Sequence, residues 1–166
     1  MGNIYLVGFM GTGKTVVGKE LARRKNWRFV DLDELIELKE KMTIVDIFAK
    51  KGEPYFRRRE KETLKEISRE NNFVVACGGG IVLDEENIKI MQETGTLICL
   101  TADPQVIFKR TQGFNYRPLL NVPNPLQRIE ELLKKRAPFY DRIEKKIDTS
   151  NLNIDEVVEE VLKLIS

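Results

Sequence analysis

The sequence predicts an α/β protein in which a five-stranded parallel sheet is flanked by helices. Three observations carry that expectation. Short apolar runs alternate with helical segments along the whole chain, as successive βα units require. Most of those runs are apolar throughout rather than at every second residue, the pattern of strands covered on both faces. Between the first run and the first helix lies Gly8-Phe9-Met10-Gly11-Thr12-Gly13-Lys14-Thr15, which reads G-x-x-x-x-G-K-[ST], a phosphate-binding loop.

The strands are expected at residues 4–7, 28–30, 73–77, 96–100 and 146–148. A first helix follows the glycine loop over 15–25, with Val17 and Leu21 four apart on one face. Thr43 caps a helix running to Ala49, and Glu53-Pro54 opens the next with proline near its first turn. A later helix carries Ile129, Leu132 and Leu133 on its apolar face, and Arg136-Ala137-Pro138 is read as its end. Asn153, with Glu156 three residues on, opens the last helix, where Val157, Val161 and Leu164 share a face. Residues 112–125 break the alternation. They hold Gly113, three asparagines and three prolines without a clear period, the composition of a lid.

Length and composition bound the function. The 166 residues suit one domain spanning 1–166. Hydrophobic content of 42% and charged content of 33% describe a soluble chain. A net charge of +2 leaves a weak footprint for nucleic acid, so no nucleic-acid partner is expected. No apolar run approaches the roughly 20 residues of a membrane span. Met1 leads almost directly into the first strand, with no space for a signal peptide, so a cytoplasmic location is expected. Cys77 and Cys99 fall in strand-like runs and read as buried reduced thiols. Histidine is absent, which excludes a Ser-His-Asp triad, histidine ligation of zinc and a histidine base. A carboxylate is then the expected proton acceptor.

The glycine loop sits between a strand and a helix N-terminus. Its backbone N–H groups face a polyphosphate there, and the helix dipole favours the charge. Lys14 can reach the outer phosphates and the Thr15 hydroxyl can ligate Mg²⁺. Asp31-Leu32-Asp33 ends the second strand. Alternation puts both carboxylates on one side of an extended segment, about 6–7 Å apart. One can hold the Mg²⁺ shell while the other meets an acceptor hydroxyl. Read instead as a local feature, Asp33 caps the helix beginning at Glu34. Arg57 and Glu60 in Phe56-Arg57-Arg58-Arg59-Glu60 are i and i+3 on one helix face. A guanidinium fork there suits a carboxylate or phosphate. Gly78-Gly79-Gly80 follows a strand and allows close backbone approach to a ligand. Arg117 in the expected lid and Arg136 can complete a charge clamp on a transferring phosphoryl group.

These pieces together resemble the shikimate kinases, small members of the nucleoside-monophosphate-kinase-like branch of P-loop NTPase folds. The resemblance is carried by GFMGTGKT (8–15), DLD (31–33), DIF (46–48), FRRRE (56–60), GGG (78–80), RPLL (117–120) and KRAPFY (135–140). It implies phosphorylation of a shikimate hydroxyl by ATP, giving shikimate 3-phosphate, with Mg²⁺ as cofactor and a monomer as the working form. Gly11, Thr12, Gly13, Lys14, Thr15 and Val16 would bind ATP, Arg110 would stack on adenine, and Arg117 would swing in to the phosphates. Asp31 would organise the Mg²⁺ shell through water beside Thr15. Asp33 would bind the acceptor hydroxyl and take its proton. Arg57 and Arg136 would grip the shikimate carboxylate, Gly78, Gly79 and Gly80 would meet the ring, and Phe48, Phe56 and Glu60 would shape the pocket. Residues 31–61 then form the substrate-binding subregion and 112–125 the lid. Asn151 to Ile154 stand where relatives place a proline near adenine. A sister kinase for gluconate or a nucleoside monophosphate is the neighbouring alternative. A nucleotide-binding switch is the other, and the lack of an N-K-x-D motif counts against its GTPase form.

Overall fold

Apolar alternation on both sides of one central strand organises the molecule. A computed structural model describes residues 2–112 and 122–165. Its elements in order are β1 (Asn3–Gly8), α1 (Lys14–Lys25), β2 (Arg28–Asp31), α2 (Leu32–Glu40), α3 (Ile44–Lys51), α4 (Glu53–Ile67), β3 (Phe73–Ala76), α5 (Glu85–Thr94), β4 (Gly95–Thr101), α6 (Pro104–Thr111), α7 (Pro125–Tyr140), β5 (Lys146–Asp148) and α8 (Ile154–Ile165). The five expected strands are all present. They pair in the order β2-β3-β1-β4-β5, every pair parallel.

β1 lies at the centre, buried along its whole length. Tyr5 and Val7 point to one face of the sheet, with Val75 and Cys77, Leu97 and Cys99. Leu64 and Ile67 of α4, Met91 of α5, Ile107 of α6 and Ile129 and Leu132 of α7 cover that face. Ile4 and Leu6 point the other way, with Val74, Ile98 and Leu100, under Val17, Leu21 and Ala22 of α1 and Val157, Val158 and Val161 of α8. Period-2 strands and period-3.6 helices thus close two cores on one sheet. Ile36, Ile47 and Phe56, from α2, α3 and α4, make a third, smaller core. Both cysteines are free and buried, as expected. Among the described residues no helix is long and apolar enough to cross a membrane.

Order reversal places β1 between β3 and β4, so the carboxyl ends of the strands open a crevice where ligands collect. Gly8 closes β1 with φ 140°, and a Cβ there would lie 2.1 Å from the Leu100 carbonyl oxygen. Only glycine lets the chain turn away so close to β4.

Two sequence expectations need correction. Asp33 is not on an extended segment with Asp31. The Asp31 carboxylate accepts from the amides of Asp33 and Glu34, at 2.9 and 3.2 Å, and so starts α2 at Leu32. The helix cap is therefore Asp31, not Asp33. Likewise Arg136-Ala137-Pro138 does not end its helix. α7 continues to Tyr140, because Ile129, Leu132, Arg136 and Tyr140 form one buried stripe and Asp141 N–H closes the last turn on the Ala137 carbonyl at 2.8 Å. Asn153 and Glu156 do exchange side-chain and backbone hydrogen bonds at the start of α8, at 3.0 and 2.8 Å.

Candidate active site

The loop between β1 and α1 builds one end of a cavity of about 1050 Å³. Gly13 takes φ 98° and precedes α1, and its carbonyl accepts from Val17 N–H at 2.9 Å. The helix therefore begins immediately behind the loop, with its positive end at the cavity. Thr12 Oγ1 donates to the Phe9 carbonyl at 2.7 Å, and Lys14 Nζ to the Gly8 carbonyl. Thr15 Oγ1 lies 3.1 Å from Asp31 Oδ2. Since Asp31 Oδ1 is committed to the α2 amides, Oδ2 is the oxygen left facing the threonine. Two hard oxygen groups side by side beside a phosphate loop fit Mg²⁺, which needs few protein ligands when phosphates supply the rest.

The other end is charged and enclosed. Arg57 Nη1 meets both carboxylate oxygens of Glu60, at 3.1 and 3.3 Å, while its Nε reaches Glu53 at 3.2 Å. Glu60 is 0% exposed and Arg136 only 4%. The Arg136 guanidinium lies over the Phe9 ring, 5.6 Å from its centroid. Phe48 and Phe56 stand 5.1 Å apart and tilted, forming an aromatic wall. Burial pushes the Asp33 carboxyl up to about 6, with Asp31 adding to the rise. Burial pushes Glu60 up to about 7 against the opposing pull of Arg57.

The three glycines sit among these groups for room, not for backbone freedom. None has a positive φ. A Cβ on Gly78 would lie 2.9 Å from Asp33 Oδ1, one on Gly79 3.0 Å from Arg136 Nη1, and one on Gly80 2.3 Å from Arg57 Nη2. Each glycine thus accommodates a different charged side chain. Tyr140 Oη fixes the turn by donating to the Gly79 carbonyl at 2.6 Å. Burial pushes this phenol up to about 12, so it remains a donor at any working pH.

Gly11 to Val16, Asp31, Asp33, Phe48, Phe56, Arg57, Glu60, Gly78 to Gly80, Arg110 and Arg136 all line this one cavity. Arg110 is tied to the loop, donating to the Gly11 carbonyl at 3.1 Å and the Thr149 carbonyl at 2.9 Å. Arg117 lies outside the described residues, as does the larger part of the expected lid. Leu152, Asn153 and Ile154 line the same cavity even without a proline. Sequence reasoning missed Glu34, Glu37 and Thr149, which also line the cavity, and Tyr140. Glu37 was within reach of pattern alone, since it follows Asp33 by four on one helix.

A parallel sheet with this loop at one end of a cavity, and an arginine–carboxylate chamber at the other, defines a small-molecule kinase of the nucleoside-monophosphate-kinase-like P-loop class. The family model described as shikimate kinase matches residues 10–166. The shikimate kinase of Thermoanaerobacter pseudethanolicus is 48% identical over 98% of this chain and 95% of its own. That of Thermodesulfovibrio yellowstonii is 48% identical over 98% and 94%. The structure of shikimate kinase from Acinetobacter baumannii in complex with shikimate superposes with TM-score 0.95 at 38% identity, covering 99% of this chain and 93% of that one. The chain belongs to the shikimate kinase family. It is a kinase with ATP as co-substrate.

Proposed function

We propose that the cavity transfers the γ-phosphoryl group of ATP to a hydroxyl of shikimate, giving shikimate 3-phosphate and ADP, and that its residues divide the work by end. One observation carries the reading. Asp33 Oδ1 and Arg136 Nη1 are both buried and have no hydrogen-bond partner among the described residues, and both line the same cavity. A buried acceptor and a buried donor left unpaired cost stability unless a ligand completes them. An anionic polyol does so, placing a hydroxyl on Asp33 and a carboxylate on Arg136 and Arg57. A phosphate-bearing acceptor would instead face Asp33, Glu34, Glu37 and Glu60.

The loop amides and Lys14 hold the phosphates and stabilise charge as the phosphoryl group moves. Thr15 and Asp31 would hold the Mg²⁺ shell. Mg²⁺, when bound, neutralises charge on the β- and γ-phosphates. Asp33 orients the acceptor hydroxyl and takes its proton as the oxygen attacks. Arg57 and Arg136 fix the carboxylate, Glu60 holds the Arg57 fork, and Phe48 and Phe56 exclude water beside the ring. Arg110 serves the adenine end. Arg117, assigned from the sequence, would complete the clamp on the phosphates. A monomer acting in the cytoplasm completes the proposal.

Shikimate and its carboxamide separate this reading from its rivals. ADP release is expected with shikimate, and the amide is expected to raise KM at least about tenfold, since it forfeits a charge-assisted contact. Arg57→Lys should weaken the acid and narrow the gap between acid and amide. Equal use of acid and amide, or better turnover of gluconate or a nucleoside monophosphate, would refute the assignment of this chamber.

A further inference from the structure

The phosphate-binding loop is held from outside by a residue that belongs to no motif. Thr149 follows β5 directly and is 2% exposed. Its Oγ1 lies 3.1 Å from the Thr12 carbonyl oxygen and 2.9 Å from that of Thr101, and it accepts from Arg110 Nη1 at 3.1 Å. Its own N–H donates to the Thr101 carbonyl at 2.8 Å, and its carbonyl accepts from Arg110 Nη2 at 2.9 Å. A hydroxyl has one proton to give. The Thr101 carbonyl is already served by the Thr149 amide, so the place where that proton is needed is the Thr12 carbonyl.

That carbonyl belongs to the peptide joining Thr12 to Gly13. In a planar trans peptide the N–H opposes the C=O. Holding the Thr12 oxygen outward on Thr149 therefore aims the Gly13 N–H inward, toward the cavity that Gly13 lines. Arg110 holds the neighbouring Gly11 carbonyl, whose peptide N–H, on Thr12, turns back to the Phe9 carbonyl at 3.4 Å, and Thr149 holds Arg110 in turn. An anion-binding loop has its N–H groups converging on the ligand, so its carbonyls need donors behind them. Thr149 and Arg110 are those donors here.

We propose that Thr149 is a positioning residue for ATP: its side-chain hydroxyl locks the loop peptide whose amide receives the phosphates. The inference rests on the loop binding ATP, as proposed above. It makes a prediction that a filler role does not. Valine has the shape of threonine without the donor. Thr149→Val should raise the Kd for ATP, by calorimetry, and the KM for ATP about five- to twentyfold, the range expected when a buried carbonyl loses its donor. The KM for shikimate at saturating ATP should stay within about twofold. Thr149→Ser, which returns the hydroxyl, should restore ATP affinity to within about twofold of the parent. Should the valine variant not fold, Thr149→Ala removes the same donor without crowding and carries the same expectation. ATP affinity unchanged in the donor-less variant, equal losses for both substrates, or a serine variant as weak as the valine one would each overturn the inference while leaving the parent's ATP binding intact. A parent protein that binds no ATP would overturn the reading of the loop itself, and this inference with it.

Discussion

Asp33 and Glu60 are carboxyls raised by burial, and that has opposite consequences for stability and for chemistry. Asp33 moves from its ordinary 3.8 to about 6, and Glu60 from 4.5 to about 7. Between the ordinary and the raised value the folded protein binds more protons than the unfolded one, so stability falls as pH rises through that window. The ligand-free protein should therefore lose thermal stability between about pH 4 and pH 7 from these two groups. Asp33→Asn should flatten its share and raise Tm by a few degrees at pH 8, but not at pH 4. Scanning calorimetry of parent and variant across that range decides it, and parallel profiles would sink the account. In turnover the sign reverses, because the proton acceptor must be ionised. We expect kcat/KM to fall below about pH 6, and Asp33→Asn to lower kcat at least about a hundredfold. Lys14 tests the other end. Lys14→Met should cut kcat by orders of magnitude with an unchanged circular dichroism spectrum, since the ammonium is needed by the moving charge and not by either core. Near-parent turnover would remove the loop from catalysis.

At the scale of elements, the turn after β3 is the sharpest test. Gly80→Ala would put a methyl 2.3 Å from Arg57 Nη2 without asking for a forbidden φ. The guanidinium must then move from Glu60, so the KM for shikimate should rise about tenfold or more while the Kd for ATP stays put. Equal kinetics in parent and variant would show that Arg57 has a free alternative position. These elements also show what pattern alone can and cannot reveal. All five strands were legible, because buried parallel strands are short, apolar and separated by helices. The loop was legible because phosphate binding is local, eight consecutive residues that carry their own chemistry. The start of α2 was not, since a carboxylate two residues upstream recruits Asp33 into a helix and overrides alternation. The continuation of α7 through Pro138 was not, since the burial of Tyr140 outweighs a local breaker. The pairing of Gly78, Gly79 and Gly80 with Asp33, Arg136 and Arg57 joins segments far apart in the chain, and neither pattern nor the family resemblance, which set these glycines against the ring, pointed to it. Thr149 offered no signal, a threonine after a strand being ordinary there, and Tyr140 fell inside the KRAPFY run with no role attached to it.

Across the whole molecule the two ends of the cavity rest on unlike foundations. The phosphate-loop end is fastened to β1, β4 and β5, inside the two large cores of the sheet. α2 and α3 at the acceptor end pack through the small core of Ile36, Ile47 and Phe56. Local stability follows buried apolar packing, so α2 and α3 should open more readily than the sheet. Hydrogen exchange should show amides of 34–51 exchanging faster than those of β1 and β4 without ligands, and slowing when shikimate is added. Protection of 34–51 equal to β1 in the free protein would contradict this. The third core also bears on descent. A lineage can change what the small core presents to the cavity, residue by residue, while the sheet and its phosphate loop go on folding as before. In this architecture one wall around the receiver of the phosphate, that of Phe48 and Phe56, is a replaceable part, while Arg136 and the glycines after β3 stay with the engine of sheet and loop.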